Sequence, residues 1–600
     1  MCGFIGYTSF LNKDKIYYKD KFEIYHNRMN HRGPDFQKKI EITNSKKKFT
    51  LGFSRLSIQD NSTKANKIFS NQNYCLLFNG ELYNKDSLVK KYFSNKSFET
   101  TTDTEILFEL LINFGISKLN EIEGIFSFVF IDIKKNLLYL TRDYTGTKPL
   151  FYSILEGEIF FSSEAWFLYS INQKELDYDS VNFYLKFGYP QTNKTLIKNV
   201  LKAEPNKTII YNLNSQKIES FRIIKDLGFS QKKELSEIHP STLNIKISKI
   251  VEKNLVGFKK IGTFLSGGID SSIISLETRK INPDIEAYTS IYKGYENSDE
   301  DYKTTVKLCK DYNIKLNTYD IDFKSSSFDE FLKAANFFDE PIANLNFYSS
   351  FVQSKMAKQN GVSVILTGDG ADEIFGGYRK YLTYNIYEKL KYLFFLNSKL
   401  YKYKKMKKDE LPYFFQKKFE NKNLNKIFNN DFSLKILDSE EYLLKNDKTI
   451  SNLAHINYFD FENWLSCEHN SKLDKSTMAN SVEGRVPFQD IDLLKYYNAN
   501  KINKKINIFK NKIQLRKTFS HLPNYVLNRK KSGWFLPEKK MINDFLNIGL
   551  ENIFYNSSSN ILNKNFIIKN ILENNFKTFS KYQIITLLML QIWINKVFQS

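Results

Sequence analysis

The 600-residue sequence predicts two domains in tandem. The first, residues 2–215, reads as an α+β sandwich of antiparallel sheets with outer helices; the second, residues 236–600, reads as an α/β domain on a parallel sheet with extra helices. Three observations carry this. The chain is longer than a single hydrophobic core ordinarily extends. Its first third alternates short strands with polar turns and holds few segments long enough for crossovers. Farther on, buried β-branched runs lead directly into glycine-rich turns that open helices.

Composition narrows the class. The hydrophobic fraction of 42% supports globular packing. Net charge is +22, but the lysines are spread along the chain among asparagines rather than gathered into a stripe. The densest basic stretch, SKLYKYKKMKKDE at 398–410, reads as a solvated face, so no nucleic-acid partner is expected. No basic region followed by a long apolar segment opens the chain, and no apolar run reaches spanning length; neither a leader nor a membrane partner is expected. LLMLQIWI near 587–594 reads as a buried helix. Cys2, Cys75, Cys309 and Cys467 show no close CxxC spacing, which argues against a disulfide scaffold and for the cytoplasm.

In the first domain the strands are FIGYTSF, FTLGFSRLSI, YCLLFNGELYN, IFSFVFIDI, LLYLTRD, LFYSIL and EIFFSS, with helices near 85–93 and 103–114. Polar clusters fall between them: HRGPD, Arg55 in SRLSI, Asn79-Gly80-Glu81, Asp103 in TTDTE, and RDYTGTKPLFY. Singly, each has an ordinary reading as a turn, an edge residue or a helix cap. In this order behind Cys2, they resemble the class II glutamine amidotransferases of the N-terminal-nucleophile (Ntn) hydrolase fold. The resemblance implies that Cys2, freed of Met1, attacks glutamine with its own α-amine as base. The Asn79 side chain and the Gly80 N–H would form the oxyanion hole. Arg55, with Leu56, Ser57 and Ile58 beside it, would take the α-carboxylate of glutamine. Glu81 and Asp103 would take its α-ammonium.

In the second domain, strand IGTFL runs into SGGIDSS (266–272). Turn glycines let backbone N–H groups face an anion at a helix N-terminus, and the serines add donors. The motif resembles the pyrophosphate loop of the ATP-pyrophosphatase (HUP-like) superfamily; GxxxxGK[ST] is absent. A second strand, VSVIL, leads into TGDGADEIFGGY, with Asp369, Asp372 and Glu373 between glycines. Clustered carboxylates favour a cation, read here as magnesium. Further on come AYTSIYKG, SKLDKSTMANSVEGRVPFQD and RKKSGWFLP; residues 381–455 read as a helical insert without a motif.

Together these segments resemble the glutamine-hydrolysing asparagine synthetases. The resemblance implies an ATP site formed by Leu265, Ser266, Gly267, Gly268, Asp270, Ser271, Ser272, Ser290, Thr367 and Gly368, with Ser290 flanking adenine. Asp270 and Asp372 would bind Mg2+. Asp369 would take a proton from attacking ammonia, and Lys531 would stabilise charge on the α-phosphate. The implied reaction converts L-aspartate, L-glutamine, ATP and water into L-asparagine, L-glutamate, AMP and diphosphate through an acyl-adenylate, in a homodimer. The acceptor stays open: FDEPIANLNFYSS (338–350), where substrate contacts are expected, departs from the pattern of ordinary asparagine synthetases in ANLNF, which admits a sugar acid of a surface polysaccharide. SSEAWFL (162–168) and FQD (488–490) depart less. Readings of another class are a basic nucleic-acid-acting pyrophosphatase and a non-catalytic regulatory homologue.

Overall fold

The computed structural model describes residues 2–599 except 12–15, 45, 226, 228–238, 296–298, 323–324, 391–418, 420–425, 430–451, 499–504, 508, 530–536, 538–539, 545–548, 550–551, 556, 558 and 574–578. Lys531, nearly all of RKKSGWFLP and most of the expected insert at 381–455 lie outside the described residues.

The first domain contains β1 (Cys2–Phe10), β2 (Phe36–Thr43), β3 (Lys47–Arg55), β4 (Phe69–Ser70), β5 (Tyr74–Leu82), β6 (Gly124–Asp132), β7 (Leu137–Arg142), β8 (Phe151–Leu155), β9 (Glu158–Ser162), β10 (Leu201–Lys202), β11 (Lys207–Asn212) and β12 (Lys217–Arg222). They form two antiparallel sheets, ordered β10-β8-β9-β1-β3-β2 and β12-β11-β7-β6-β5-β4. The period of two along a strand splits each central strand between two layers. On β1, Cys2 and Phe4 enter the core between the sheets with Leu51, Leu77 and Val129. Ile5 and Tyr7 face outward onto Phe22, Phe167 and Leu168 of outer helices. On the other sheet Phe126, Phe128 and Phe130 pack under Leu107 and Leu111. The result is a helix–sheet–sheet–helix sandwich, and its central strands are apolar on both faces because both are covered.

The helix Asp103–Phe114 starts at Thr102, whose hydroxyl accepts from the Thr104 N–H, and stops at Gly115 with φ +78°. Helices Ile16–Arg28, Trp166–Ile171 and Tyr178–Phe187 extend the expected pair, and β2, β11 and β12 extend the expected strands. β11 and β12 form a hairpin that straddles residue 215, so the second sheet continues to Arg222.

The second domain is built on β13 (Lys260–Phe264), β14 (Glu286–Tyr292), β15 (Lys315–Ile321), β16 (Val362–Leu366) and β17 (Glu483–Arg485), all parallel, in the order β15-β14-β13-β16-β17. The chain leaves β13 toward β14 and later returns on the other side as β16. That reversal puts the carboxyl ends of β13 and β16 side by side, where an α/β sheet opens a crevice. LLMLQIWI lies in the helix Lys581–Gln599, with Leu587, Leu590 and Trp593 buried. Among the described residues no helix is long and apolar enough to cross a membrane. All four cysteines are buried free thiols.

Candidate functional site

Two sites emerge, one in each domain. In the first, β1 pairs with β3 so that Cys2 lies directly across from Arg55. The Cys2 N–H donates to Asn79 Oδ1 at 3.1 Å. This fixes the amide so that Asn79 Nδ2, wholly buried, points away without a hydrogen-bond acceptor. An unpaired buried donor is costly and fits a site that waits for an oxygen. Next to it Gly80 has φ +154°, and a Cβ there would come within 2.1 Å of the Ile125 carbonyl oxygen. Gly80→Ala is therefore expected to cost several kcal/mol, of which about 1–3 is backbone strain alone. An unchanged denaturant midpoint would contradict this. Burial raises the Cys2 thiol's pKa; the amine at the chain's start, the Arg55 charge and the Leu56 N–H oppose that shift.

The Arg55 guanidinium is committed to Ser57 Oγ at 2.8 Å, Asn66 Oδ1 at 2.7 Å and the Asp60 carbonyl at 2.5 Å. Glu81 and Asp103 converge: the Gln59 amide donates to Glu81 Oε2 at 2.6 Å and to Asp103 Oδ2 at 3.2 Å. Burial pushes both carboxyls above their ordinary range, and for Glu81 the nearby Glu483 and Asp103 add to it. Two buried carboxyls drawn onto one amide make a place for a cation.

The second site is a cavity of about 290 Å³ at the ends of β13 and β16. Ser266, Gly268, Asp270, Ser271, Thr367, Gly368, Asp369 and Asp372 line it; Leu265, Gly267, Ser272 and Ser290 do not. Gly267 has φ +69°. The two loops touch: a Cβ on Gly368 would lie 2.9 Å from Asp270 Cβ and 2.8 Å from the Ser271 nitrogen. Ser290 sits on β14, 2% exposed, where its hydroxyl accepts from Gln353 Nε2 at 3.0 Å.

Lys512, 2% exposed, places its ammonium between the two expected metal ligands: on Asp270 Oδ2 and 2.6 Å from Asp372 Oδ1. Burial would strip its proton, but the two carboxylates outweigh burial and raise its pKa. Two carboxylates closing on one cation, with open cavity beyond, suit magnesium, which is held by one or two carboxylates plus substrate phosphates. Among the described residues no group of three or more His, Cys, Asp or Glu side chains forms an all-protein metal cage. The other acids of the loop turn elsewhere. Asp369 accepts from Thr367 Oγ1 at 2.8 Å and lies 3.7 Å from His469 Nδ1. Burial raises its pKa, but His469, Lys472 and Thr367 bring it down to about 2. Glu373 accepts from the Tyr378 hydroxyl at 2.5 Å.

Asn344, Asn346 and Ser350 also line the cavity, with Tyr378, Trp464 and His469, so the expected acceptor segment does reach it. Gln59, Lys512, His469 and Trp464 were not singled out from the sequence. Their partners lie far away in the chain, and a lysine, glutamine or tryptophan outside a glycine loop carries no local signal. The fully buried helix segment from Lys472 to Met478 joins the two sites. Lys472 lines the cavity, while Asp474 receives Arg32 Nη1 and Nη2 at 2.9 and 3.1 Å; Arg32 Nε in turn donates to the Cys2 carbonyl at 3.4 Å.

The glutamine amidotransferase domain family matches residues 1–222, and the asparagine synthase family matches residues 242–595. The chain is 27% identical to asparagine synthetase (glutamine-hydrolysing) 1 of Bacillus subtilis, over 99% of this chain and 96% of that one. It is 30% identical to a putative asparagine synthetase (glutamine-hydrolysing) 2 of Methanocaldococcus jannaschii, over 64% and 76%. It is 25% identical to a putative asparagine synthetase (glutamine-hydrolysing) of Mycobacterium bovis, over 85% and 83%.

Proposed function

The chain belongs to the asparagine synthase family and is a glutamine-dependent amidotransferase of that type, and from that premise we propose that it makes L-asparagine from L-aspartate, L-glutamine, ATP and water, releasing L-glutamate, AMP and diphosphate. In the first site Cys2, after loss of Met1, attacks the glutamine amide with its α-amine as base. The unpaired Asn79 Nδ2 and the Gly80 N–H meet the developing oxyanion. Glu81 and Asp103 hold the α-ammonium, Gln59 keeps them together, and Arg55 with Leu56, Ser57 and Ile58 bounds the carboxylate end.

In the second site the acceptor carboxylate attacks the α-phosphorus of ATP. A carboxylate has no usable leaving group, and the resulting acyl-adenylate supplies one. Ser266, Ser271 and the turn N–H groups face the departing diphosphate, with Leu265, Gly267, Gly268, Ser272, Thr367 and Gly368 forming the walls and supports of the nucleotide site. Ser290 acts from within the sheet, through β14, rather than at the cavity surface. Asp270 and Asp372 would hold magnesium, which supplies charge neutralisation at the phosphates. Lys512 faces the same oxygens. Asp369, kept ionised beside His469, accepts a proton from attacking ammonia, and Lys531 offsets charge on the α-phosphate. The observation that carries this reading is the contact of the two glycine loops at Gly368, which sets Asp270 and Asp372 on one cation inside the cavity.

One observation favours a second acceptor class. The cavity lining also presents amides, a serine hydroxyl and a Tyr378–Trp464 stack with centroids 4.8 Å apart, and Asn346 Oδ1 is buried without a donor. Such walls suit the hydroxyls of a sugar acid. Incubation with glutamine, Mg-ATP and aspartate decides: asparagine, AMP and diphosphate are expected in equal amounts. Glutamate without aspartate-dependent diphosphate would overturn the aspartate reading and move the assay to uronic acids.

A further inference from the structure

Arg485 ends β17, in the second domain, yet its side chain reaches the glutamine pocket of the first. It is fully buried. Nε donates to Glu483 Oε1 at 2.5 Å, and Nη1 donates to the carbonyls of Asn254 at 2.7 Å and Val256 at 2.8 Å. Nη2 has no hydrogen-bond acceptor and stands 3.6 Å from Glu81 Oε2. The backbone of the same residue serves the other site: its carbonyl accepts the Thr367 N–H at 3.0 Å, immediately past β16, where the nucleotide loop begins.

We propose that Arg485 is a positioning residue of the glutamine site, drawing Glu81 toward its carboxylate form for the α-ammonium of glutamine while its carbonyl anchors the nucleotide loop. The inference rests on the assignment of Glu81 to that ammonium. A guanidinium whose only work was structural would be neutralised by Glu483 and satisfied by carbonyls. Here one of its amino groups is left over, buried, and aimed at a carboxylate of another domain. A buried N–H pays heavily for such isolation unless a partner closes on it. The charge pattern agrees. Burial, Glu483 and Asp103 drive Glu81 toward its neutral form, and Arg485 and the amine at the chain's start oppose them. Cys2 and Tyr83 also feel Glu81, Lys85 faces Asp103, and Lys148 faces Glu483. A neutral Glu81 cannot pair an ammonium, so the first domain's substrate site is incomplete without a residue of the second.

The test is the pH profile of kcat/KM for glutamine hydrolysis in the full-length protein, which reports groups of the free enzyme. Activity is expected to rise with pH as Glu81 ionises. Arg485→Lys, with a shorter reach and no second amino group, should move this acid limb up by about one unit and raise the glutamine KM near neutrality about tenfold. Glu483→Gln removes a repelling carboxylate and frees Arg485 for Glu81, so it should move the limb the other way and lower KM. Limbs that stay with the wild type, or shift in the same direction in both variants, overturn the proposal. If Arg485→Lys does not fold, Glu483→Gln decides alone. Absence of glutamate formation by the wild type would instead sink the glutamine reading, and this proposal with it.

Discussion

Cys2→Ala is expected to reduce glutamine-supported amide formation by roughly 10⁴-fold or more, while amide formation from ammonium salts at pH 8 and above continues. The split follows from the geometry. Cys2 starts β1, between the Asn79 amide and Arg55 across the sheet, and contributes no atom to the cavity at the ends of β13 and β16. On the proposed roles, removing the thiol would delete the nucleophile and leave Asn79 and Gly80 with no oxyanion to stabilise. Alanine at a position 9% exposed loses one sulfur atom from the sandwich core and keeps the strand register. The second site, on the proposed function, would then still activate its carboxylate and accept ammonia from solution. High pH matters because ammonium is not a nucleophile. Product analysis with each nitrogen source checks the prediction: equal losses with both would mean that the two sites are not separable, and retained glutamine use would remove Cys2 from the chemistry.

How much of this could be read beforehand depended on where the burial lies. β1, β5, β13 and β16 announce themselves because both faces are covered, so the strand is a continuous apolar run. β2 and β12 do not, because they are sheet edges with largely exposed, polar sequences such as FQKKIEIT. The helix Ile16–Arg28 buries only Phe22 and His26, too few to draw an apolar stripe. At the sites, many legible residues stand at or beside a glycine turn, whereas Cys2, Arg55 and Asp103 are legible only through the order of their motifs. Gly80 and Gly368 stand where a Cβ would strike backbone, so the residue type itself records the approach. Residues that act across the chain left no such mark. Arg485 stood inside a segment recognised as a motif, but its reach to Glu81 depends on how one domain seats on the other. AYTSIYKG marks the strand that carries Ser290, but the expectation that Ser290 flanks adenine fails to see that its face does not open to the cavity. Lys512 is one of 88 basic residues in a chain where lysine is common.

That lysine carries the last prediction. Lys512→Met is expected to lower acceptor-dependent diphosphate release by about 10²–10³ fold and, without Mg-ATP, to destabilise the protein by about 3–5 kcal/mol. Both effects come from one arrangement. Asp270 and Asp372 are brought together by the contact of two glycine loops, and like charges so placed repel unless a cation separates them. In the nucleotide-free protein Lys512 is that cation, buried and held charged by the pair. Its backbone is committed to the position as well, at φ +50° before the helix Ile513–Thr518. Methionine keeps all but the last atom of the side chain's length and removes the charge, leaving two uncompensated carboxylates. The deficit should shrink when magnesium and ATP are added, because on the proposed function the ion would bring the missing charge, whereas catalysis should not recover, because on the same reading the Lys512 ammonium also meets the phosphate oxygens. Thermal unfolding with and without Mg-ATP, set beside diphosphate release, separates the two. A variant equally stable in both conditions would show that Lys512 does not neutralise the pair. Full activity in a destabilised variant would confine it to structure.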